Sequence, residues 1–188
     1  MKKFYSVFLL VAVIFLCAAC QNADKAARAK DKTKHSAAPA KEEKKIYKLN
    51  EEGFMSNAKG EKIYSVTINS VKEVKIPAED MEYVPKDSKQ TVVVDYTYKY
   101  LKKEPKIKSL LVYQSDLTVY DKNQMAGTHI DLLASEYPFD SEPTEILPGR
   151  AAETHGAYSL KTVSDTVQID FISPSFHKTL TFEAPIQK

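Results

Sequence analysis

The feature that most constrains the fold is a period-two alternation of apolar and polar residues in several short segments after about residue 45. In the segment TVVVDYTYKYL, Val92, Val94, Tyr96, Tyr98 and Tyr100 occupy every second position. Because successive side chains of a strand point to opposite faces, this pattern indicates strands with one buried face. The other segments place the following residues inward: Tyr64, Val66, Ile68; Leu111, Tyr113, Leu117, Val119; Tyr158, Leu160; Val167, Ile169, Phe171; Leu180, Phe182.

Turn signals such as KKEPK, YDKN, LPGR, VSD and SPSF separate these segments, and no long stretch repeats with the helical period. Six or seven short strands without intervening helices predict an all-β, antiparallel β-sandwich. A closed barrel remains the alternative, because alternation alone does not distinguish the two. The segment IDLLASEY is predicted to be a helical turn or an irregular loop, and LNEEGFMSNAKGEK a short lead-in.

Two glycines and a row of tyrosines have local interpretations. Leu147-Pro148-Gly149 is typical of a type II turn, in which Gly supplies the positive φ of the second central residue. Gly156 inside a strand pattern indicates a bulge or a close approach between sheets. The tyrosines of 92–100 form either an exposed binding face or, as we expect, part of the core with their hydroxyls at its rim.

The first nineteen residues have the layout of a secretory signal. Met1-Lys2-Lys3 is positively charged, Phe4 to Leu16 is uncharged and almost entirely apolar, and Ala18-Ala19 supplies small residues before a cleavage site. The apolar run falls short of the roughly twenty residues that span a bilayer, which disfavours a transmembrane helix.

The sequence Cys17-Ala18-Ala19-Cys20 resembles the bacterial lipoprotein signal, with Cys17 at the usual leucine position. This resemblance implies cleavage between Ala19 and Cys20 and a thioether from Cys20 to diacylglycerol, with further acylation such as palmitate. We therefore expect a lipid-anchored protein on the extracytoplasmic face of the cell membrane. An ordinary secreted protein and an uncleaved anchor are the alternatives, and whether Cys17 slows processing stays open.

Charge and composition divide the chain into three parts: a signal peptide at 1–19, the lipidated Cys20 with a flexible basic linker at 20–45, and the sandwich domain at 46–188. Residues 21–45 contain eight basic and four acidic residues and no aromatic residue, so they do not bury enough apolar surface to fold. The whole chain carries +2, Lys2 and Lys3 contribute +2 and the linker +4, which leaves −4 for the domain. An acidic domain argues against nucleic-acid binding.

The order of segments resembles the telokin-like, immunoglobulin-type domain found in many lipoproteins of Gram-positive bacteria. The resemblance covers roughly 63–185 and rests on YSVTINSVKEV, TVVVDYTYKYL, VYDKN, the Leu-Pro-Gly before GRAAETHGAYSL, VQIDFIS and KTLTFEAP. It implies an immunoglobulin-like fold and a surface-tethered binding module of unknown function, and it brings no catalytic residues.

The sequence predicts no enzyme, cofactor or metal site. The four histidines are dispersed, no cysteine lies in 46–188, and no nucleophile elbow or phosphate-binding loop occurs. His155 paired with a strand aspartate is the one catalytic constellation that we consider, against the simpler interpretation of scattered surface histidines.

Two acidic segments that carry aromatic residues are the candidate partner-binding loops. They contain Glu79, Asp80, Glu82 and Tyr83 in the first, and Tyr137, Phe139, Asp140 and Glu142 in the second. The alternative is that these are solvated loops whose aromatic side chains fold onto the rim of the sandwich.

Our functional hypothesis is a non-enzymatic module that binds a protein partner at the cell envelope. A binding module predicts one loop cluster or sheet face with exposed aromatic and acidic residues, and no deep polar pocket. The rival hypotheses are an envelope hydrolase, which predicts a pocket of convergent titratable groups, and a small-ligand carrier, which predicts an unfilled apolar cavity. The sequence indicates neither the partner nor the oligomeric state.

Overall fold

The structure is a computed structural model that describes residues 45–132 and 139–188. The predicted signal peptide, Ala19, Cys20, nearly all of the linker, and Tyr137 lie outside the described residues. The strands are β1 (Ile46–Lys48), β2 (Gly53–Ser56), β3 (Lys62–Glu73), β4 (Gln90–Tyr100), β5 (Leu117–Tyr120), β6 (Thr128–Ile130), β7 (Ala151–Leu160), β8 (Thr166–Ile172) and β9 (Thr179–Pro185). Short 3-10 helices span Ala78–Tyr83 and Gln114–Asp116. Within the described ranges, no helix is long and apolar enough to cross a bilayer.

The strands form two sheets, with the orders β1-β9-β8-β5 and β2-β3-β4-β7-β6. All pairings are antiparallel except β1 with β9, which is parallel. The predicted all-β, immunoglobulin-like antiparallel sandwich is confirmed, and the barrel alternative is wrong because the strands divide between two separate sheets. The segment expected to be only a lead-in supplies β2, which pairs with β3.

The tyrosine row of β4 lies in the core, and its hydroxyls also form hydrogen bonds with segments outside the sheet. Tyr96, Tyr98 and Tyr100 are fully buried. The Tyr96 hydroxyl donates to the Val112 carbonyl at 3.1 Å, the Tyr98 hydroxyl to the Thr144 carbonyl, and the Tyr100 hydroxyl to the Ile107 carbonyl at 2.5 Å. The core interpretation is confirmed. The hydroxyls bind backbone carbonyls of segments that have little regular structure and so satisfy polar groups that burial would otherwise leave unpaired.

A β-bulge in β3 shifts its alternation by one residue. Tyr64, Val66 and Ile68 are buried as predicted, but the next buried apolar residue is Val71 rather than residue 70. Ile68 pairs with Tyr96 and Ser70 with Asp95, which leaves Asn69 as the extra residue. Its side-chain amide donates to Asp95 Oδ1 at 3.1 Å and to Thr97 Oγ1 at 2.9 Å, so the bulge is held by side chains of the neighbouring strand.

The prediction that Leu111 and Tyr113 point inward is wrong. Leu110 and Val112 are buried instead, and Tyr113 is 47% exposed. The reason is that 109–120 is not one strand, because the 3-10 helix Gln114–Asp116 interrupts it before β5 begins. The inward positions predicted within β5, β7, β8 and β9 are all buried.

The predicted type II turn is confirmed at Leu147–Arg150. The Arg150 amide donates to the Leu147 carbonyl at 3.1 Å, and Gly149 has a φ of 83°. The Gly149 amide also donates to the Tyr100 carbonyl at 2.6 Å, so the turn is joined to the end of β4.

The substitution Tyr100→Phe tests the role of the tyrosine hydroxyls. This hydroxyl donates to the Ile107 carbonyl and accepts from the Glu104 amide at 3.1 Å, so its removal leaves two backbone groups without a partner. We expect a loss of about 1–3 kcal/mol in the free energy of unfolding, measured by urea denaturation. Tyr83→Phe, at an exposed tyrosine, is the control and should change stability by no more than about 0.5 kcal/mol. Equal losses in the two variants would contradict this role.

Candidate functional site

A second hydrophobic cluster lies on the outer face of the five-stranded sheet, separate from the main core. Val93 and Ala157 face each other across β4 and β7 and alternate with the residues of the main core. The cluster contains Val84, Ile130, Leu132 and Ala157, with Ile76, Val93 and Phe139 packed against it. It therefore joins the segment after β3 to the segment around Phe139, so the two predicted loops reach the same face of the sheet.

The first predicted loop is a 3-10 helix, Ala78–Tyr83, that follows Pro77. Pro77 has a φ of −57°, and the Val84 amide donates to the Met81 carbonyl at 3.2 Å, so both ends of the turn are fixed. Glu79 and Glu82 are exposed and Asp80 is half-buried. Tyr83 is 55% exposed and Met81 51%, while Val84 is buried in the second cluster. The helix thus presents two large apolar side chains to solvent among carboxylates.

The second predicted loop keeps little of its acidic and aromatic surface. Phe139 is half-buried in the second cluster, as the alternative interpretation of a folded-in aromatic requires. Asp140 is buried, and its carboxylate is therefore not available to a partner. Glu142 is exposed. Among the candidate residues of this loop that the structure describes, Glu142 is therefore the accessible acidic group.

Asp140 is the centre of a polar network that the sequence did not indicate. Its Oδ2 lies 3.0 Å from His129 Nε2, and its Oδ1 accepts from Gln114 Nε2 at 2.9 Å and from the Ser141 amide at 3.2 Å. Gln114 Nε2 also donates to the carbonyls of Ser141 and His155. These contacts bind the 3-10 helix Gln114–Asp116 to the edge of the five-stranded sheet. Their sequence separations are too long for any local motif to show them.

Gly156 makes this network possible by its lack of a side chain. A Cβ at this position would lie 2.5 Å from Gln114 Cγ and 3.3 Å from Asp140 Oδ1. A close approach is present, but it is to the 3-10 helix Gln114–Asp116 rather than to the other sheet, and β7 continues without a bulge there. Tyr158, two residues on, donates its hydroxyl to the Gln114 carbonyl at 2.8 Å, and burial raises the pKa of that hydroxyl far above its ordinary value.

The residues that a hydrolase would use lie near this network but are poorly arranged. Ser141 Oγ is 3.4 Å from His155 Nδ1, whereas an activated nucleophile and its base usually lie about 2.6–3.2 Å apart. The Ser141 hydroxyl also contacts Thr154 Oγ1 at 2.6 Å and accepts from the His155 amide at 3.1 Å. Asp95, the strand aspartate that pairs with His155 across β4 and β7, accepts a hydrogen bond from the side-chain amide of Asn69.

A cavity of about 230 Å³ beside the network is lined by Tyr113, His129, Asp131, Asp140 and Glu142, among others. In residues 45–132 and 139–188, no group of three or more His, Cys, Asp or Glu side chains could hold a metal ion.

The remainder of the outer sheet face is an open, polar surface. Ser70, Lys72, Asp95 and His155 line a shallow groove there, together with Phe139 and two valines. The groove lies between the second cluster and the bulge in β3. The candidate site is therefore this sheet face with the 3-10 helix Ala78–Tyr83 at one of its ends, and we call it the partner face.

No protein-family model and no curated protein sequence matches this chain. Solved structures that are similar to it include the following two. MPT63, a secreted protein from Mycobacterium tuberculosis, has 15% sequence identity and a TM-score of 0.51 over 80% of this chain and 99% of that protein. The yjhA protein from Bacillus subtilis has 9% identity and a TM-score of 0.46 over 76% of this chain and 100% of that protein. The likeness to MPT63 supports the β-sandwich fold and nothing finer.

The substitution Gly156→Ala tests the packing at the network. The added methyl group would overlap Gln114, and overpacking of this kind costs about 1–3 kcal/mol of the free energy of unfolding. Urea denaturation measures the loss in the natural background and in a Gln114→Ala background. The loss should be smaller in the second, because the overlapping Cγ is gone. An equal loss in both backgrounds would show that overlap with the Gln114 side chain does not cause the destabilisation.

Proposed function

We propose that this chain is an acylated lipoprotein, held on the extracytoplasmic face of the membrane through Cys20, whose sandwich binds a protein partner without catalysing a reaction. The anchor is supported by the signal-like N-terminus and by Cys17-Ala18-Ala19-Cys20. The resemblance to telokin-like domains of Gram-positive lipoproteins agrees with it. The secreted similar protein MPT63 is compatible with a position outside the cytoplasm.

The observation that carries the binding function is the exposure of Met81 and Tyr83 on the 3-10 helix of the partner face. Tyr and Met are enriched in protein interfaces; Tyr buries a large area at modest entropic cost, and the flexible Met side chain adapts to the partner surface. Here the second cluster holds the neighbouring Val84 in place, so the helix is positioned before any partner arrives. Such preorganisation reduces the cost of binding.

The charges around these two residues indicate the chemistry of the partner. Glu79 and Glu82 are exposed on the same short helix, and Glu142 is exposed on the second segment. We therefore expect a partner surface that offers apolar contacts bordered by Lys or Arg, because complementary charge favours encounter and orientation. Another envelope protein is the expected class of partner.

The structure favours binding over the two rival functions. In the described residues, Ser141 and His155 provide the nearest approach to a nucleophile and base, and the serine hydroxyl is already engaged by Thr154 and by the backbone. A small-ligand carrier needs an unfilled apolar interior, whereas the space between the sheets is occupied by Tyr96, Tyr158, Phe171 and their neighbours. The cavity lined by His129, Asp131, Asp140 and Glu142 has titratable groups of the kind that a hydrolase needs, but the Asp140 carboxylate there is engaged by Gln114, His129 and the Ser141 amide.

The substitution Cys20→Ala tests the anchor. We expect loss of the acyl mass and transfer of the chain from the membrane to the soluble fraction, because lipid chains provide the stable attachment. Intact-mass spectrometry and cell fractionation measure the two effects. Cys17→Leu is the matched control and should keep both, since residue 17 leaves with the signal. A Cys20→Ala chain that stays tightly on membranes without acyl mass would refute the anchor.

A photo-crosslinking amino acid at position 83 tests the partner face. We expect a discrete crosslinked protein on intact cells, identified by mass spectrometry, when the probe replaces Tyr83. Ile172 lies on β8 of the other sheet and is 50% exposed, so the same probe at that position is the control and should give no such product. The double change Glu79→Lys with Glu82→Lys should weaken the crosslink. Identical products from both probe positions would count against a partner-specific face.

A further inference from the structure

One end of the sandwich is strongly basic, although the domain as a whole is acidic. We call it the basic end and define it by four connections, 57–61, 101–106, 147–150 and 173–178. These contain six basic and two acidic residues, and all six basic side chains are exposed. The basic residues are Lys59, Lys102, Lys103, Lys106, Arg150 and Lys178. The end therefore carries +4, while residues 46–188 together carry −4.

Direct contacts hold these connections together. Asn57 Nδ2 donates to Glu104 Oε2 at 3.2 Å, and Lys102 forms an ion pair with Glu61. The ring of Phe176 lies 5.8 Å from the ring of Tyr64, which fixes the fourth connection against the core. Lys59, Lys106 and Lys178 line one cavity of about 390 Å³ with Phe176. The positive charges thus lie on one surface.

The two acidic residues of this end do not neutralise it. Glu61 is engaged by Lys102 and Asn57, and Glu104 accepts from Asn57. The connections at the opposite end, 74–89, 121–127, 161–165 and 186–188, contain six basic and six acidic residues. The excess of positive charge is therefore specific to one end of the domain.

Large apolar side chains accompany the charge at the basic end. Leu101 is 42% exposed and Leu147 63% exposed. The connections that carry them are joined directly, because the Gly149 amide donates to the carbonyl of Tyr100, which precedes Leu101. Exposed leucines among lysines are typical of surfaces that contact the boundary between headgroups and acyl chains.

The chain also enters the domain at this end. Ile46 pairs with Thr181, close to the start of β9 and to the connection 173–178. Lys45 is the first described residue, and 44 residues precede it in the sequence, including Cys20. A lipid at Cys20 would therefore be connected to the domain through its basic end.

We infer that the basic end is a docking surface for anionic lipid headgroups, so that the domain stands on the membrane with this end down. The inference rests on the proposed anchor at Cys20, and it adds an orientation that the anchor alone does not impose. Each basic residue close to an anionic membrane is attracted to it, so an end with an excess of four positive charges is enough to bias the orientation of a tethered domain. The 3-10 helix Ala78–Tyr83 follows the opposite end of β3, a strand of twelve residues or roughly 40 Å. Docking therefore leaves the Tyr83 helix accessible to a partner.

The test uses the acylated chain, purified and reconstituted into vesicles. Residues 46–188 contain no cysteine, so a fluorophore can be attached at a single introduced thiol. Ser175→Cys places it at the basic end and Asn123→Cys at the opposite end, and both positions are exposed. On phosphatidylglycerol-containing vesicles, a headgroup-attached quencher should quench position 175 more strongly than position 123. The difference should be lost on phosphatidylcholine vesicles and in about 1 M salt, where the Debye length is roughly 3 Å.

Charge-reversal variants provide the matched control. Changing Lys59, Lys103, Lys106 and Lys178 to Glu should abolish the quenching difference. Changing Lys75, Lys86, Lys89 and Lys122 to Glu at the opposite end alters the net charge by the same amount and should preserve it. Urea denaturation of both variants confirms that each is folded.

Equal quenching at the two positions on anionic vesicles would overturn the inference, as would an equal difference on phosphatidylcholine. A purified anionic wall polymer could protect the fluorophore at position 175 from quenching while the two positions are quenched equally on vesicles. That result would show that the basic end binds the polymer and not the membrane. Intact mass at Cys20 reports separately on the proposed anchor. If Cys20 is not acylated, co-sedimentation of the unanchored chain and its two charge-reversal variants with anionic vesicles still decides the inference.

Discussion

The burial of one face of β4 is the constraint on which the rest of the structure depends. Tyr96, Tyr98 and Tyr100 fill the space between the sheets, and their hydroxyls bind backbone carbonyls in 107–112 and at Thr144. Two segments without extended regular pairing are thereby fixed against the core. Burial raises the pKa of the Tyr96 and Tyr98 hydroxyls, so these two remain neutral donors, and the same effect raises the pKa of Tyr64 to about 12.

The opposite face of the same strand positions the partner face. Val93 lies in the second hydrophobic cluster, and that cluster holds Val84 beside the exposed Tyr83. The strand β4 therefore contributes to the main hydrophobic core with one face and packs against the second hydrophobic cluster with the other. Tyr83 is therefore an exposed tyrosine on a turn with a rigid support, and the Asp140 carboxylate is engaged by Gln114, His129 and the Ser141 amide.

The excess of positive charge is concentrated at one end of the domain. The basic end and the Tyr83 helix lie at opposite ends of β3, and the chain preceding Ile46 enters at the basic end. In our proposals, attachment, orientation and recognition therefore belong to separate surfaces. The residues of each surface can be substituted without unfolding the domain, because these residues are exposed and the strands between the surfaces form the core.

The sequence by itself determined the sandwich class, the inward residues of β4, β8 and β9, and the turn at Gly149, because period-two alternation and positive φ are local properties. It also contains Cys17-Ala18-Ala19-Cys20, the short motif on which the proposed anchor rests. Only the tertiary structure decided the shift at Asn69, the inward turn of Val112 in place of Tyr113, and the burial of Asp140 against Gln114 and His129. These depend on contacts between residues far apart in the chain, and hydrophobic periodicity does not encode which distant partner a polar side chain will meet.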